Sequence, residues 1–384
     1  MRRIYMDHNA TTAVHPEVVE AMLPFFGERF GNPSSVHSFG QDARQVLEDA
    51  RKTVASALGA RKEEIVFTSG GTEADNLAVL GVAAALCSKG RHIVTSKIEH
   101  HAVLAACAHL GRIGFEITEV PCDEKGIVDP DAVTKEIRKD TVLITIMHAN
   151  NEVGTIQPIE EIAAVAAQNR VVFHTDAVQS FGKVPLDVSR LNCNLLSVSS
   201  HKIYGPKGVG ALYVKRGTPL APILYGGHHE KRRRAGTENL SGVVGFARAA
   251  ELATADIDAK NQELLALRTR LEQGIVARVA NVRVNAHPTR RLPSTVNVCF
   301  EGVEGESIVL SLDMQGIAVS SGSACTSGSI EPSHVLLAMG IPPDVAQGSV
   351  RFSLGLANTD ADVDRVLDVL PGVIERLRAM SPLS

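Results

Sequence analysis

Short apolar runs alternate with longer amphipathic segments between about residues 60 and 215. The apolar runs have the length of buried strands, and the segments between them have helical spacing. The predicted strands are Ile65–Thr68, His92–Ser96, Phe115–Val120, Thr141–Met147, Val171–His174, Leu195–Ser199 and Gly210–Val214. The predicted helices are Ala74–Leu86, Ala102–Leu110, Asp131–Arg138 and Ile159–Gln168. This alternation predicts an α/β layer with a mostly parallel sheet.

The pattern changes near residue 255, after which strands and helices no longer alternate regularly. The predicted elements are a long helix at Ile257–Val279, strands at Val282–Asn285, Ser294–Phe300, Ile317–Ser320 and Ser349–Ser353, and a helix at Asp362–Met380. Pro371 and Gly372 predict a kink or break in the last helix. We therefore expect a large domain over residues 15–256 and a smaller α/β domain made of residues 1–14 and 257–384.

Polar residues collect where the predicted strands of the large domain end. They are Thr68–Gly70, His148, His174–Asp176 and Ser199–Lys202. Because open α/β sheets bind ligands beyond the carboxyl ends of their strands, this placement predicts one site fed by several strands.

The charge balance and the cysteines narrow the class of protein. With 39 basic and 43 acidic residues, the net charge of −4 gives no reason to expect nucleic acid or acidic membranes as partners. No apolar stretch reaches about twenty residues, so no membrane span is expected. None of the six cysteines falls in a CxxC pair, which disfavours a zinc site or a disulfide framework and favours a reducing cytoplasm.

Two motifs suggest binding of a phosphorylated cofactor. Gly70–Thr72 follows a strand and opens a helix, where backbone N–H groups and the helix dipole favour an anion. Thr72 is expected to cap the helix and to donate its hydroxyl to a phosphate. Asp176, in the segment His174–Gln179, is placed to hold a pyridinium nitrogen protonated, and Gln179 to reach a phenolic oxygen. The alternatives are an ordinary strand-to-helix turn and a helix cap at Asp176.

Lys202 lies in Ser199–Lys202, just past a strand end and beside hydroxyls and a histidine. A desolvated or cation-flanked amine is nucleophilic at neutral pH and suits a Schiff base to pyridoxal phosphate (PLP). Ser199 and His201 are candidates to bind the same phosphate as Thr72. A solvated surface lysine is the alternative, and the order of the motifs along the chain favours the cofactor.

Cys325 and Arg351 are candidates for sulfur transfer and for substrate binding. Cys325 lies among small polar residues in Ser320–Ser329, unlike Cys299, which lies in an apolar strand. A thiolate on such a segment suits sulfur transfer, the alternative being an incidental exposed cysteine. Arg351 is predicted to lie on a strand, where its guanidinium would clamp a substrate carboxylate; the alternative is a surface salt bridge.

Taken together, the motifs resemble those of the fold-type I, class V aminotransferase family, and within it the NifS/IscS cysteine desulfurases. The matching segments are Asp7–Thr12, Phe30–Ser35, Gly70–Glu73, Glu99–His100, Asn150–Glu152, His174–Gln179, His201–Lys202, Arg234–Asn239, Ser321–Cys325 and Val350–Phe352. The resemblance runs almost from end to end and implies a mixed, mostly parallel seven-stranded sheet with a small C-terminal domain.

The resemblance also implies a role for each site residue. Lys202 would hold PLP, His100 would stack on its ring, Asp176 would pair with the ring nitrogen, and Gln179 with the phenolic oxygen. The phosphate ligands would be Gly71, Thr72, Ser199, His201 and, from the partner subunit of a homodimer, Thr237. Asn151 and Arg351 would hold the substrate carboxylate.

The expected activity is therefore removal of sulfur from L-cysteine, giving L-alanine and a persulfide on Cys325. An iron–sulfur scaffold protein is the expected acceptor, with tRNA thiolation or cofactor synthesis also open. The alternatives are a selenocysteine lyase or another class V PLP enzyme and, from a different class, a non-catalytic iron–sulfur scaffold, which would leave Lys202, Asp176 and His100 unexplained.

Overall fold

The computed structural model describes residues 3–321 and 331–380, so that Cys325 lies outside the described residues. The strands are β1 Ile4–Tyr5, β2 Ile65–Thr68, β3 His92–Ser96, β4 Glu116–Val120, β5 Thr141–Thr145, β6 Val172–Asp176, β7 Leu195–Ser199, β8 Gly210–Val214, β9 Val282–Val284, β10 Thr295–Phe300, β11 Ile317–Ala318, β12 Ser320–Ser321 and β13 Ser349–Ser353. The α-helices are α1 Pro16–Met22, α2 Ser38–Ala57, α3 Gly71–Leu86, α4 His101–Arg112, α5 Pro130–Glu136, α6 Ile159–Gln168, α7 Val188–Leu191, α8 Leu240–Thr254, α9 Ile257–Arg278, α10 Gly305–Asp313, α11 His334–Ala338, α12 Pro343–Gln347 and α13 Asp360–Met380.

The large sheet has seven strands in the order β2-β8-β7-β6-β5-β3-β4. The five strands from β3 to β7 are parallel to one another, whereas β8 pairs antiparallel with β2 and β7. Leu143 and Ile144, which are consecutive on β5, belong to two different apolar clusters. Leu143 packs in a cluster with residues of α3 and α4, and Ile144 packs in a cluster with residues of α2, α6 and α8. Because both faces are covered, strands such as β5 and β7 are buried along their whole length. The predicted mixed, mostly parallel sheet is confirmed.

A third apolar cluster is formed by residues from the N-terminal segment and from the C-terminal part of the chain. Strands β12, β13, β10 and β9 form an antiparallel sheet, and β1 pairs parallel with β11. Ile4 and Met6 pack in this cluster with residues of α9, α10 and α13, such as Leu271, Ile308 and Ile374. The division into residues 15–256 and 1–14 with 257–384 stays a prediction, supported by this packing.

One sequence-based expectation about residues 257–384 is wrong, and the break expected as one possibility at Pro371 is not observed. Residues 317–320 do not form one strand, because Ile317 pairs with β1 whereas Ser320 pairs with β13. Helix α13 continues without a break through Pro371, since Leu370 and Ile374 on its buried face pack in the apolar cluster. Within residues 3–321 and 331–380, no helix is long and apolar enough to cross a membrane.

Candidate active site

A cavity of about 290 Å³ lies at the carboxyl ends of the parallel strands. Ten of the twelve predicted site residues line it: Gly71, Thr72, His100, Asn151, Asp176, Gln179, Ser199, His201, Lys202 and Arg351. The other lining residues are Asn9, Ala10, Asp75, Met147 and Val178. Thr237 is exposed and does not line the cavity of its own chain, and Cys325 lies outside the described residues. The predicted convergence of strand ends on one site is thus observed.

One end of the cavity has the features of an anion-binding site. Helix α3 begins at Gly71, and a Cβ at this position would lie 2.7 Å from Val178 Cγ2, so only glycine fits without displacing that side chain. Ser199 Oγ is buried and has no hydrogen-bond partner among the described residues. The helix cap is Gly70, at φ 155°, with no side-chain cap bond, so the expectation that Thr72 caps the helix is wrong. Thr72 lies inside the first turn, and its side chain is exposed.

Asp176 ends β6 and is almost fully buried at the cavity wall. Its Oδ1 accepts a hydrogen bond of 2.8 Å from Val178 N, which closes a turn rather than starting a helix, so the alternative of a helix cap is wrong. Burial raises the pKa of Asp176 to about 6, although the Val178 bond and the charge of Lys202 oppose the rise. At neutral pH this carboxylate is therefore a buried negative charge suited to a cationic ring nitrogen.

Lys202 lies in a turn of 3₁₀-helix directly after β7. Its Nζ donates to the carbonyl oxygens of Asn9 and Ala10, both at 2.7 Å, so it is not the solvated surface lysine of the alternative interpretation. His100 Nδ1 accepts from Ala102 N at 3.1 Å, which leaves Nε2 to carry the proton of the neutral ring. Burial and, next, the charge of Lys202 lower the pKa of His100 to about 4.

Arg351 is 3% exposed, so a surface salt bridge is excluded. Its guanidinium donates to Asp7 Oδ1 at 2.8 Å and to the carbonyl oxygen of Asn151 at 3.0 Å. Its Nε has no partner among the described residues. Since a guanidinium has five N–H donors, Arg351 retains donors for an anionic ligand in the cavity.

Comparison with known proteins agrees with this geometry. The family model "Aminotransferase class-V" matches residues 4–366. The chain belongs to the class V aminotransferase family. Cysteine desulfurase IscS of Methanosarcina thermophila is 55% identical over 383 residues, covering 100% of this chain and 95% of the relative. The family and the cysteine desulfurase type predicted from the motifs are confirmed.

Solved structures place the chain in the same part of the class V aminotransferase family. A structure named "NIFS-LIKE PROTEIN" has a TM-score of 0.92 and 38% identity, covering 98% of this chain and 100% of that one. Another, "SspA in complex with cysteine", has a TM-score of 0.81 and 38% identity, covering 91% and 98%.

Two residues to which sequence reasoning gave no role lie at or beside the cavity of this class V family member: Asn9 lines it, and Lys183 contacts two of its lining residues. Asn9 joins distant parts of the chain, since its N donates to Ser353 Oγ and its Nδ2 to Thr295 Oγ1 and the Asn151 carbonyl. Lys183 Nζ donates to Asn9 Oδ1 at 3.0 Å and to Gln179 Oε1 at 2.8 Å. The available signals were the place of Asn9 in the Asp7–Thr12 motif and the four-residue spacing of Lys183 from Gln179.

Two further buried acids lie near Asp176. Asp75 is 1% exposed, and burial, then the charge of Asp176, raise its pKa well above the usual range. Glu99 Oε1 accepts from Ser96 Oγ at 2.6 Å and from Met147 N at 2.9 Å, whereas its buried Oε2 has no partner among the described residues. Burial raises the pKa of Glu99 to about 8. A pKa of about 8 keeps Glu99 largely protonated at neutral pH, and burial favours the protonated form of Asp75 as well.

Replacing Glu99 by glutamine should stabilise the protein, and the gain should grow as the pH rises from about 4.5 to about 8. The folded pKa of Glu99 is above its unfolded value, so the folded state binds the extra proton and loses stability as the pH rises from about 4.5 to about 8. The loss is about 1.4 kcal/mol per pH unit in this window. Chemical denaturation at pH 6 and pH 9 measures the difference in unfolding free energy between Glu99→Gln and the wild type, and the Glu124→Gln variant, at an exposed position, is the control. An unchanged stability difference between the two pH values would contradict the assignment.

Proposed function

We propose that this chain is a PLP-dependent cysteine desulfurase that converts L-cysteine to L-alanine and carries the sulfur as a persulfide on Cys325. The observation that carries the proposal is the meeting, in one cavity, of the amine of Lys202, the buried carboxylate of Asp176 and the anion-binding start of α3. These are the groups needed to hold an aldehyde, a ring nitrogen and a phosphate.

The described residues fit PLP. The unpartnered hydroxyl of Ser199 and the space above Gly71 suit the phosphate, with Thr72 and His201 as further donors. When bound, PLP supplies an aldehyde that captures amines and a ring that acidifies the Cα–H of an attached amino acid. Asp176 would keep a negative charge opposite the ring nitrogen.

The remaining lining residues would orient the ring and the substrate. His100, a neutral ring fixed by its bond to Ala102 N, would stack on the cofactor, and Gln179 would donate to its phenolic oxygen. The amine of Lys202 would take the Cα proton of cysteine. Arg351 and Asn151 would bind the substrate carboxylate through donors directed into the cavity.

Cys325 would accept the sulfur by nucleophilic attack. Its thiolate forms an S–S bond to the substrate sulfur while the substrate Cβ–S bond breaks. The electron pair of the broken bond stays on carbon, which gains a proton and gives alanine. The thiol of Cys325 thereby becomes a persulfide, and no outside oxidant is needed.

A homodimer completes the proposal. Thr237 is exposed and does not line the cavity of its own chain, which supports its place at the phosphate of a partner subunit. Exposed aromatic side chains at Phe26, Phe30 and Phe39, between 56% and 69% exposed, supply an apolar surface for a second copy.

The proposed sulfur acceptor is based on the family resemblance, and the proposed cellular location is based on the cysteines. We assign the persulfide sulfur to an iron–sulfur scaffold protein, with tRNA thiolation or cofactor synthesis as the competing uses. We place the enzyme in the cytoplasm, which is supported by the free thiols of the five cysteines among the described residues.

The test is the absorbance of the purified protein together with its products from L-cysteine and a reductant. We expect a visible band at roughly 400 nm and equal amounts of alanine and sulfide. A band without sulfide would move the assignment to another substrate, to be sought by comparing selenocysteine and alanine. The absence of a band after addition of PLP would reject the cofactor and favour the scaffold.

A further inference from the structure

We propose that Lys183 is a positioning residue that fixes the carboxamide of Gln179 for the phenolic oxygen of the cofactor. The inference rests on the proposed function and adds a residue that does not line the cofactor cavity. Lys183 follows Gln179 by four residues, and its Nζ lies 2.8 Å from Gln179 Oε1. The same amine donates to Asn9 Oδ1 at 3.0 Å.

The two neighbours of Gln179 allow only one orientation of its amide. The amine of Lys183 acts as a donor, so it must face the carbonyl oxygen Oε1. On the other side the Asn9 carbonyl can only accept, and it takes a hydrogen bond of 2.9 Å from Gln179 Nε2. A flipped amide would place Oε1 against the Asn9 carbonyl, two acceptors in contact. These two partners therefore fix the orientation of the Gln179 amide, and the second hydrogen on Nε2 remains available to the cofactor.

Asn9 also links Lys183 to the reactive lysine. The carbonyl oxygen of Asn9 accepts from Lys202 Nζ at 2.7 Å, while its side-chain Oδ1 accepts from Lys183. One residue thus holds both amines, one by its main chain and one by its side chain. A positive charge on Lys183 therefore disfavours a positive charge on the nitrogen of Lys202, since the two share one small buried region.

The protonation of Lys183 is limited by its surroundings. Burial, followed by the charges of Lys202 and Arg351, lowers the pKa of Lys183 to about 7. The charged or titratable groups that interact with Lys183 are Lys202, Arg351, His8 and His201. Even the neutral amine keeps two N–H donors, enough for both observed bonds. The positioning role therefore holds across the pH range in which Lys183 titrates.

The test compares Lys183→Met with Gln179→Leu and the double variant, using PLP binding to the apoprotein. Loss of one oriented hydrogen bond should weaken PLP binding roughly tenfold in Lys183→Met. If Lys183 acts through Gln179, the double variant should bind no more weakly than Gln179→Leu alone. Lys183→Gln, which keeps an N–H donor, should recover most of the affinity.

A second readout separates positioning from a general loss of structure. In the reconstituted Lys183→Met protein, the pH midpoint of the visible absorbance should move to higher pH, because a neighbouring positive charge is removed and the Gln179 donor to the phenolic oxygen is no longer held in place. The matched control is Lys260→Met, since Lys260 Nζ donates to the carbonyls of Leu252 and Ala255 rather than to this network. The melting temperatures of the apoproteins report on folding.

Two results would overturn the inference while leaving the proposed function intact. One is PLP binding by a folded Lys183→Met within twofold of wild type, with an unchanged pH midpoint. The other is full additivity of the Lys183→Met and Gln179→Leu effects. Failure of the wild-type apoprotein to bind PLP would instead reject the proposed function itself.

Discussion

Replacing Cys325 by alanine should reduce sulfide release from L-cysteine to the level of an enzyme-free control, while the visible band of bound PLP persists. The reason is that a thiolate is the attacking species, and burial keeps four of the five described cysteines in the thiol form while the fifth, Cys87, lies outside the cavity. Burial raises the pKa of Cys107 and of Cys193 to about 12, and that of Cys122 and of Cys299 to about 11. Their thiols therefore stay protonated at neutral pH.

The control for Cys325→Ala is Cys87→Ala, because Cys87 is a free and exposed cysteine outside the cavity. Sulfide and alanine are measured together with a reductant, and the absorbance spectrum reports on the cofactor. Wild-type rates in Cys325→Ala would rule out the sulfur-carrier role. A loss of the band with the activity would show that the substitution affects cofactor binding instead.

Replacing Lys202 by alanine should lower kcat by about a thousandfold or more, because general acid–base catalysis by one well-placed group contributes up to about 10⁴-fold. The proposed function also gives this amine the covalent link to the cofactor. PLP should still bind, more weakly, through the phosphate and ring contacts of Thr72, Ser199 and Asp176. The measurements are alanine formation and the loss of the band that depends on the covalent link.

Lys215→Ala is the matched control for Lys202→Ala. Lys215 follows the last residue of β8, and its Nζ contacts Asn192 Oδ1 at 2.8 Å, away from the cavity. The control should keep full activity. Activity of Lys202→Ala within tenfold of wild type would mean that another group moves the Cα proton.

Most residues of the cavity could be predicted from the sequence because they lie at or just after the ends of strands. Asp176 and Ser199 end neighbouring parallel strands, and Lys202 comes three residues later, so strand order alone brings them together. Asn9 was missed because its contacts are with distant segments, and Lys183 because a four-residue spacing from Gln179 does not by itself predict a contact and its other partner, Asn9, is distant. Asn9 is 193 residues from Lys202, and no local pattern reports such a contact.

Local patterns also misplaced parts of the small domain. An apolar run such as residues 317–320 shows that a segment is buried and extended, but not which strands it pairs with. Pro371 removes one helical hydrogen bond, yet the packing of Leu370 and Ile374 keeps the helix continuous. In both cases tertiary contacts outweigh the local preference.

The contacts of Asp7 and Asn9 have a consequence for the order in which the enzyme is made. Asp7 pairs with Arg351 and Asn9 with Ser353, in each case across 344 positions of the chain. Residues 7 and 9 leave the ribosome long before residues 351 and 353 are made. Such contacts between distant segments form late in folding. The cavity is thus completed only after Arg351 has been made, and a polypeptide interrupted before that point would lack the residue proposed to hold the substrate.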